Sequence, residues 1–571
     1  MNFRPEYPRP QFKRQDWTPL NGVWEFEFDD KNSGVKRGLH TGYKVLGGRI
    51  NVPFSYQYQA SGIGDPAQHD AVWYRRKFTV ESLEKRALLC FNAADYVTDV
   101  WVNGKHVITH KGGFTPFKAD ITDCLFVGEN AIVVRCLDPL GADFPRGKQS
   151  CTGERYTCYY IPNSGIWQSV WIEYFGDDCI DSYTLGADAD AFTLSGKIKT
   201  LRKSADELLV KVTYKGEEVA NASFALNGGT VDYSLELSEK HLWSCRAPNL
   251  YGVEFTLLKN GRECDKAETR IGVRKIAVDG NKIYLNGEPL YQRLILDQGY
   301  WENGGLTPPS KEALKDDILY SIKMGFNGAR KHQKLEDPYY YYYAEELGFL
   351  VWCEMPSAYE SCDREKAAIM SEWAEIVAEA KNYTSVITYV PLNESWGVEG
   401  IYDAKDRQDF ARAMYYYTKS LDETRLVSTN DGFDNVEESD ILSIHDYDIK
   451  RAEEFPAKYK DGAYDGMKPQ GFNLFCNGHK YKGQPVILTE FGGLSFASES
   501  LDGSWGYDSV KDADDLVNRL AGLMKGVTGT EFCGYCYTQL SDVQQEVNGL
   551  LNAYRTPKAP LEKLEKVFNN K

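Results

Sequence analysis

Residues 386–397 read VITYVPLNESWG. A continuous apolar and β-branched run of this kind predicts a strand covered on both faces, as in a parallel sheet. It passes without a turn signal into Asn393 and Glu394, so a carboxylate stands at the mouth of a buried strand. Burying such a charge is costly unless it is paired or used.

Outward from this strand, short apolar runs alternate with helical patterns. Upstream stand PLYQRLIL, then KEALKDDILYSIKMG behind the N-cap candidate Ser310, then FNGAR, DPYYYYYAEELG, FLVWCEM and REKAAIMSEWAEIVAEAK. Downstream stand DRQDFARAMYYYTKSL, TRLVST, DILSIH, PVILTE, DADDLVNRLAGLMKG and EFCGYCY. Eight strand candidates, mostly followed by helices, make residues 276–571 a predicted (β/α)8 TIM barrel. The tyrosine run 339–343 has helical spacing and is expected to pack in the core and on the helix surface. Cys533 and Cys536 have redox-motif spacing but lie in a strand-like run without a second pair, so they are read as structural.

Ahead of residue 276 the rhythm is all-β. In residues 1–175, AVWYRRKFTV and GIWQSVWIEYF alternate, and YVTDVWVNGKHVITH is a hairpin whose Asn103-Gly104 suits a type I′ turn. Residues 176–275 repeat the pattern in LLVKVTYKG, ASFALNGG and VEFTLLKNGREC. Two successive β-sandwiches are the expectation.

Composition narrows the function. At 571 residues the chain needs several cores. Its formal net charge of −17 argues against nucleic acid and acidic membrane surfaces, which are bound through Lys and Arg. The N-terminal stretch MNFRPEYPRPQFKRQDW has no apolar signal region, and no run approaches the roughly eighteen apolar residues of a membrane span. Thirteen scattered cysteines fit reduced thiols, so a cytoplasmic location is expected. The 38 tyrosines and 12 tryptophans offer flat faces with a polar tip, a surface suited to sugar rings. The expected partner is a carbohydrate substrate, with self-association left open and no cofactor.

In a barrel of this type, catalytic groups stand at the C-terminal ends of strands. Glu394 follows the fourth strand candidate and Glu490 ends the seventh, across the mouth. Two carboxyl groups facing one bond are what glycoside hydrolysis uses: one protonates the leaving oxygen while the other attacks or stabilises the anomeric carbon.

PLNESWG and TEFGG resemble the acid/base and nucleophile motifs of glycoside hydrolase family 2, the family of β-galactosidases and β-glucuronidases. GIWQSVWIE and GGFTPFKADIT are similar to segments of that family's N-terminal sugar-binding jelly roll. The resemblance implies a jelly roll (1–175), an immunoglobulin-like sandwich (176–275) and a catalytic barrel (276–571). It also implies that Glu394 is the general acid/base and Glu490 the nucleophile of a retaining reaction. Asn393 would bond the sugar's 2-hydroxyl, Tyr447 would bond the nucleophile, and Arg330 would hold the nucleophile's charge from below. Carboxyl groups about 5 to 5.5 Å apart are expected, with Glu394 kept protonated by the nearby charge of Glu490.

Lys331-His332-Gln333 departs from the Ser-His of relatives, and Asp297-Gln298 stands where relatives carry Arg-His or Met-His. His332, His445 and Asp297 are therefore candidate pocket residues. Trp396, Trp301 and Trp505 are candidate aromatic platforms, and Glu354 a barrel-lining carboxylate. No ligand cluster specific for a metal stands out.

Glucuronidases hold the sugar's carboxylate with an Asn-x-Lys motif, whose place is taken here by Glu546-Val547-Asn548. A carboxylate there repels an acidic sugar, so glucuronides are disfavoured. A neutral sugar is expected, a β-galactoside first, with a pentoside or furanoside (arabinofuranoside, galactofuranoside) as the alternative. Two rivals are a non-catalytic carbohydrate-binding protein and a retaining enzyme that transfers the sugar to an acceptor other than water.

Overall fold

The computed structural model describes residues 3–460, 462–496 and 503–569. Its first unit is a jelly-roll sandwich. One sheet pairs Trp17–Pro19, Val170–Phe175, Arg86–Phe91 and Phe117–Asp120; the other runs Gly48–Val52, Gly22–Phe28, Ala71–Val80, Gly128–Leu137, Val97–Val102 and Lys105–Lys111. The last two strands form the expected hairpin, with Asn103 and Gly104 both at positive φ (51° and 83°) as a type I′ turn requires. Alternate residues of both sheets, among them Trp24, Phe26, Tyr74, Leu89, Phe91, Val134 and Ile172, close a core between them.

The second unit is an immunoglobulin-like sandwich. Ile180–Asp188, Thr193–Thr200 and Thr230–Glu236 face Glu217–Ala225, Glu207–Tyr214, Tyr251–Lys259 and Arg262–Ile271 across a core of Val210, Val212, Phe255 and Leu257. Arg14 joins this unit to the first. Fully desolvated, its guanidinium bonds Glu173 of the jelly roll and Asp265 and the Ile180 carbonyl of the second sandwich.

The third unit is the barrel. Its eight parallel strands, in chain order, are Gln292–Asp297, Gly328–Lys331, Leu350–Glu354, Val386–Val390, Leu426–Val427, Leu442–His445, Val486–Gly492 and Gly534–Thr538. The ladder runs five-four-three-two-one-eight-seven-six. Between the fifth and sixth strands the join is made by side chains such as Ser428 and Ser443, whose hydroxyls bond each other. All eight strands coincide with runs legible in the sequence. Strands four and seven stand on opposite sides of the mouth.

Local chemistry starts the barrel helices. Ser310 accepts from the Ala313 N–H to open Lys311–Lys323. Asp337 caps Pro338–Leu347, which Gly348 closes at φ 70°. Within that helix Tyr339, Tyr340, Tyr341 and Tyr343 are buried, as packing residues. Cys536 is a buried thiol of the eighth strand.

Two contacts lock the jelly roll to the barrel. Glu372, on the helix Asp363–Ala380, accepts the N–H groups of Gly113 and Phe114 at 2.8 and 2.9 Å. Nearer the strand end in the same βα unit, the N–H groups of Arg146 and Gly147 both bond the Ser357 carbonyl, beyond the third barrel strand.

Candidate active site

Short extensions of the barrel strands build the site. Past the fourth and fifth strands, Leu392–Asn393 pairs in parallel with Asn430–Asp431, which brings Asn393, Glu394 and Asp431 together. Glu394 and Ser395 then take positive φ (50° and 60°), a conformation that side-chain-bearing residues adopt only where surrounding bonds impose it. Those bonds come from Glu394 N–H to the Asp431 carbonyl and Ser395 N–H to Asn430 Oδ1. In the sixth and seventh strands His445 is the register partner of Glu490, with a slip at that point. The slip re-aims both side chains into the mouth.

Glu490 is gripped on both oxygens. Arg330 donates to Oε1 at 2.9 Å and the Tyr447 hydroxyl to Oε2 at 2.6 Å. Arg330, on the second strand and fully buried, also donates to Asn393 Oδ1 (2.7 Å), to the Thr489 carbonyl and to Glu354. Tyr447 is in turn stacked on Tyr507, with centroids 3.6 Å apart. Asn393 thus spends its carbonyl on Arg330, while its Nδ2, buried, has no hydrogen-bond partner among the described residues.

His445 lies between the carboxylates. Its Nδ1 is 2.8 Å from Glu394 Oε1, its Nε2 is 2.9 Å from Asp431 Oδ1, and Glu490 Oε1 lies 3.5 Å from Nε2. Burial alone lowers the ring's pKa, but the charge of Glu490 and the bonds to Asp431 and Glu394 outweigh it and raise it to about 10. His445 is therefore an imidazolium donating from both nitrogens. Asp431 is desolvated too, yet Arg330 and His445 hold it down at about 2.

Glu394 differs from the expectation of a neutral acid. Burial pushes its carboxyl up, but the hydrogen bond and charge of His445 leave it below the ordinary range. The charge of Glu490 would favour a neutral Glu394, but the neighbouring His445, from a distant strand, outweighs it.

Glu394, His445 and Glu490 each bring one ligand-type atom within 4.8 Å of the others. A metal ion there would have to displace a proton from His445. The same span brings carboxylate oxygens of Glu394 and Glu490 to within 4.8 Å of each other.

The other expected residues fall as follows. His332 contacts Glu354 Oε2 through Nδ1 at 2.8 Å; burial, with the charges of Lys148 and Arg330, keeps it neutral. Glu354 lines the barrel as expected, and burial lifts its carboxyl to about 7 against the pull of Arg330. Asp297 is held by Lys331 Nζ (2.8 Å) and the Gly299 N–H, inside a buried network that also links Lys331 and Lys334 to Glu336. Trp396 stands edge-on to Tyr159 and Tyr359, half-buried. Trp301 is covered by the Arg555 guanidinium at 3.8 Å from its centroid, which removes that face as a sugar platform. Trp505 donates to the Thr157 carbonyl at 2.6 Å and so serves the domain junction.

Sequence reasoning missed Asp431, Lys148, Tyr159 and Tyr507. Asp431 alone carried a usable signal, since it follows the fifth strand in STND.

Comparison with known proteins accords with this arrangement. The family model described as "Glycosyl hydrolases family 2, TIM barrel domain" matches residues 276–570, over half of the chain. Those described as "Glycosyl hydrolases family 2, sugar binding domain" and "Glycosyl hydrolases family 2" match residues 17–140 and 180–274. A β-galactosidase of Thermoanaerobacter pseudethanolicus is 25% identical over 431 residues, 71% of this chain and 53% of its own. A β-glucuronidase of Paenibacillus borealis is 24% identical over 522 residues, 84% and 83% of the two chains. The crystal structure of Ruminococcus gnavus β-glucuronidase superposes with a TM-score of 0.80 at 20% identity, covering 100% of this chain and 99% of that one. This chain spans about half the length of several curated relatives it matches, 53% and 41% in two cases. The expectation that glucuronides are disfavoured is corrected: glucuronidases stand among the relatives beside galactosidases, and one missing motif does not separate them.

Proposed function

Because the chain belongs to glycoside hydrolase family 2, we propose that it is a retaining exo-glycosidase that removes a terminal sugar by double displacement, with Glu490 as nucleophile and Glu394 as acid/base. The observation that carries this reading is the approach of Glu394 and Glu490 oxygens to within 4.8 Å of each other. So close an approach of single oxygens supports retention, since inverting enzymes keep room for a water between the carboxyl groups.

The residues divide the chemistry. Arg330 and Tyr447 hold Glu490 ionised and oriented for attack on the anomeric carbon. The second oxygen of Glu394 makes no hydrogen bond to the described residues and is available to the leaving oxygen. Glu394 rests ionised, so it first takes the Nδ1 proton of His445, and the resulting carboxylic acid gives a proton to the leaving oxygen as the glycosidic bond breaks, which leaves Glu394 a carboxylate and His445 neutral. In the second step the deprotonated Glu394 activates a water that releases the sugar from Glu490. The orphaned Asn393 Nδ2 gains a partner when a sugar hydroxyl arrives.

For the glycone we propose a neutral sugar, a β-galactoside first and a pentoside or furanoside second. Glu546 supports this choice. It is buried and bonded to Tyr160 and Asn548, and burial raises its carboxyl, so it can meet a sugar hydroxyl as donor or acceptor. The glucuronide reading stands as the alternative, supported by the β-glucuronidases among the relatives. The test is a panel of nitrophenyl β-galactoside, β-glucuronide, pyranosidic pentosides, arabinofuranoside and galactofuranoside. A dominant rate on a neutral glycoside supports the proposal, a dominant rate on the glucuronide replaces it with the alternative, and sugar binding without turnover favours a carbohydrate-binding protein. Added sugar acceptors show whether transfer outcompetes hydrolysis.

A further inference from the structure

The jelly roll sends a strap, residues 146–160, into the barrel mouth, and the strap is fixed at both ends. At its start, the N–H groups of Arg146 and Gly147 bond the Ser357 carbonyl at 2.9 and 3.0 Å, and the Tyr359 hydroxyl bonds the Gly147 carbonyl. Gly147 lies at φ 62°, and a Cβ there would come within 2.5 Å of the Gln333 carbonyl, so only glycine lets the strap lie this close to the loop that carries His332. At its end, Trp505 and Gln545 both bond the Thr157 carbonyl, Gln545 also bonds the Tyr159 carbonyl, and Tyr160 bonds Glu546. The Tyr160 N–H to Lys148 carbonyl bond, at 2.8 Å, clips the two ends together.

Lys148 is the residue this architecture delivers. Its side chain is 8% exposed and its ammonium lies 5.9 Å from the centre of the Tyr159 ring. That ring stands edge-on to Trp396, two residues beyond Glu394. Among the described residues no carboxylate oxygen comes within 4.0 Å of the ammonium; Cys158 and Tyr159 first, then Glu394 and Glu546, favour its charge against burial. An ammonium beside the acid/base, anchored from another domain and not matched to a carboxylate, has donors to offer an incoming ligand.

We propose that Lys148 is a substrate-contacting residue: its ammonium donates to hydroxyl oxygens of the bound neutral sugar beside Glu394, so that the jelly roll completes the active site. This rests on the glycosidase reading above. Glu394 and Glu546 stand near the ammonium, and a sugar hydroxyl can bond both kinds of group. Sugar hydroxyls accept from the ammonium and donate to the neighbouring carboxylates.

The test is steady-state kinetics and thermal unfolding of the full chain with Lys148→Met and Lys148→Arg, on whichever glycoside of the panel the wild type hydrolyses fastest. The expected result is a loss in kcat/KM on the order of 100-fold for Lys148→Met, most of it in KM, with an unchanged melting temperature. Lys148→Arg keeps the charge in place for folding but displaces its donors, and is expected to fall between. Wild-type kinetics in either variant would overturn the inference while leaving the glycosidase reading intact. A defect confined to the glucuronide would also overturn it, by assigning Lys148 to a carboxylate. A wild type that hydrolyses no glycoside would remove the reading and the inference together.

Discussion

His445 Nδ1 donates to Glu394 Oε1 across 2.8 Å, so the proposed acid of the site shares its proton supply with an imidazolium. Acid catalysis then needs one proton on the Glu394–His445 couple, and the alkaline limb of activity reports the loss of that proton. The ring's pKa is raised to about 10, so the proton is held across neutral pH and lost only as pH rises toward that value. In His445→Asn the limb reports Glu394 without its reserve. The alkaline limb of kcat/KM is expected to move to lower pH by about one unit or more, while the acid limb stays. An alkaline limb that does not move would remove His445 from the proton path.

Glu394→Ala should discriminate between leaving groups. On alkyl glycosides, whose leaving oxygen needs a proton, the loss is expected to be about 100-fold to 10,000-fold. On aryl glycosides with acidic phenols the first step should be nearly spared. Equal losses on both would assign Glu394 a different role.

Tyr447 donates to Glu490 Oε2 at 2.6 Å. Tyr447→Phe keeps the ring stacked on Tyr507 and deletes that bond together with the hydroxyl's 3.0 Å contact with Thr538 Oγ1. A loss in kcat on the order of 10-fold to 100-fold is expected, with little change in unfolding temperature. An unchanged kcat would show that Arg330 alone orients the nucleophile.

Glu372 carries a prediction about stability. Burial pushes its carboxyl up to about 8, with the charge of Glu375 adding to the effect and the N–H bonds of Phe114 and Gly113 and the charge of Lys111 opposing it. In the unfolded chain it ionises near about 4.3. A folded pKa above the unfolded one gives stability that is present in full below the unfolded value and lost as pH rises through about 8. Glu372→Gln, whose carbonyl can still accept from Gly113 and Phe114, should lose less melting temperature than the wild type between pH 5 and pH 8.5. Parallel curves would mean that Glu372 is ionised in the folded protein.

Much of this arrangement was legible in the chain because it is written in local patterns. The barrel strands are apolar runs, the Ser310 and Asp337 caps sit where the helices begin, and Asn103-Gly104 makes its own turn. The placement of Glu394 and Glu490 opposite each other follows from strand order. What stayed hidden depends on neighbours far apart in sequence. His445 becomes an imidazolium only because Asp431, Glu394 and Glu490 arrive from three other strands. Lys148 reaches the site only because a glycine at 147 lets a jelly-roll strap lie against the barrel. Trp301 looked available because nothing near it in sequence announces Arg555.

The most direct test of the double-displacement account is to trap its intermediate. The protein is incubated with activated 2-fluoro glycosides of the panel sugars, digested, and the modified peptide sequenced by mass spectrometry. The account predicts one fluoro-sugar per chain, attached to Glu490 and absent in Glu490→Gln. Attachment to another residue, or hydrolysis of the parent glycoside that releases the inverted anomer with no adduct formed, would contradict it.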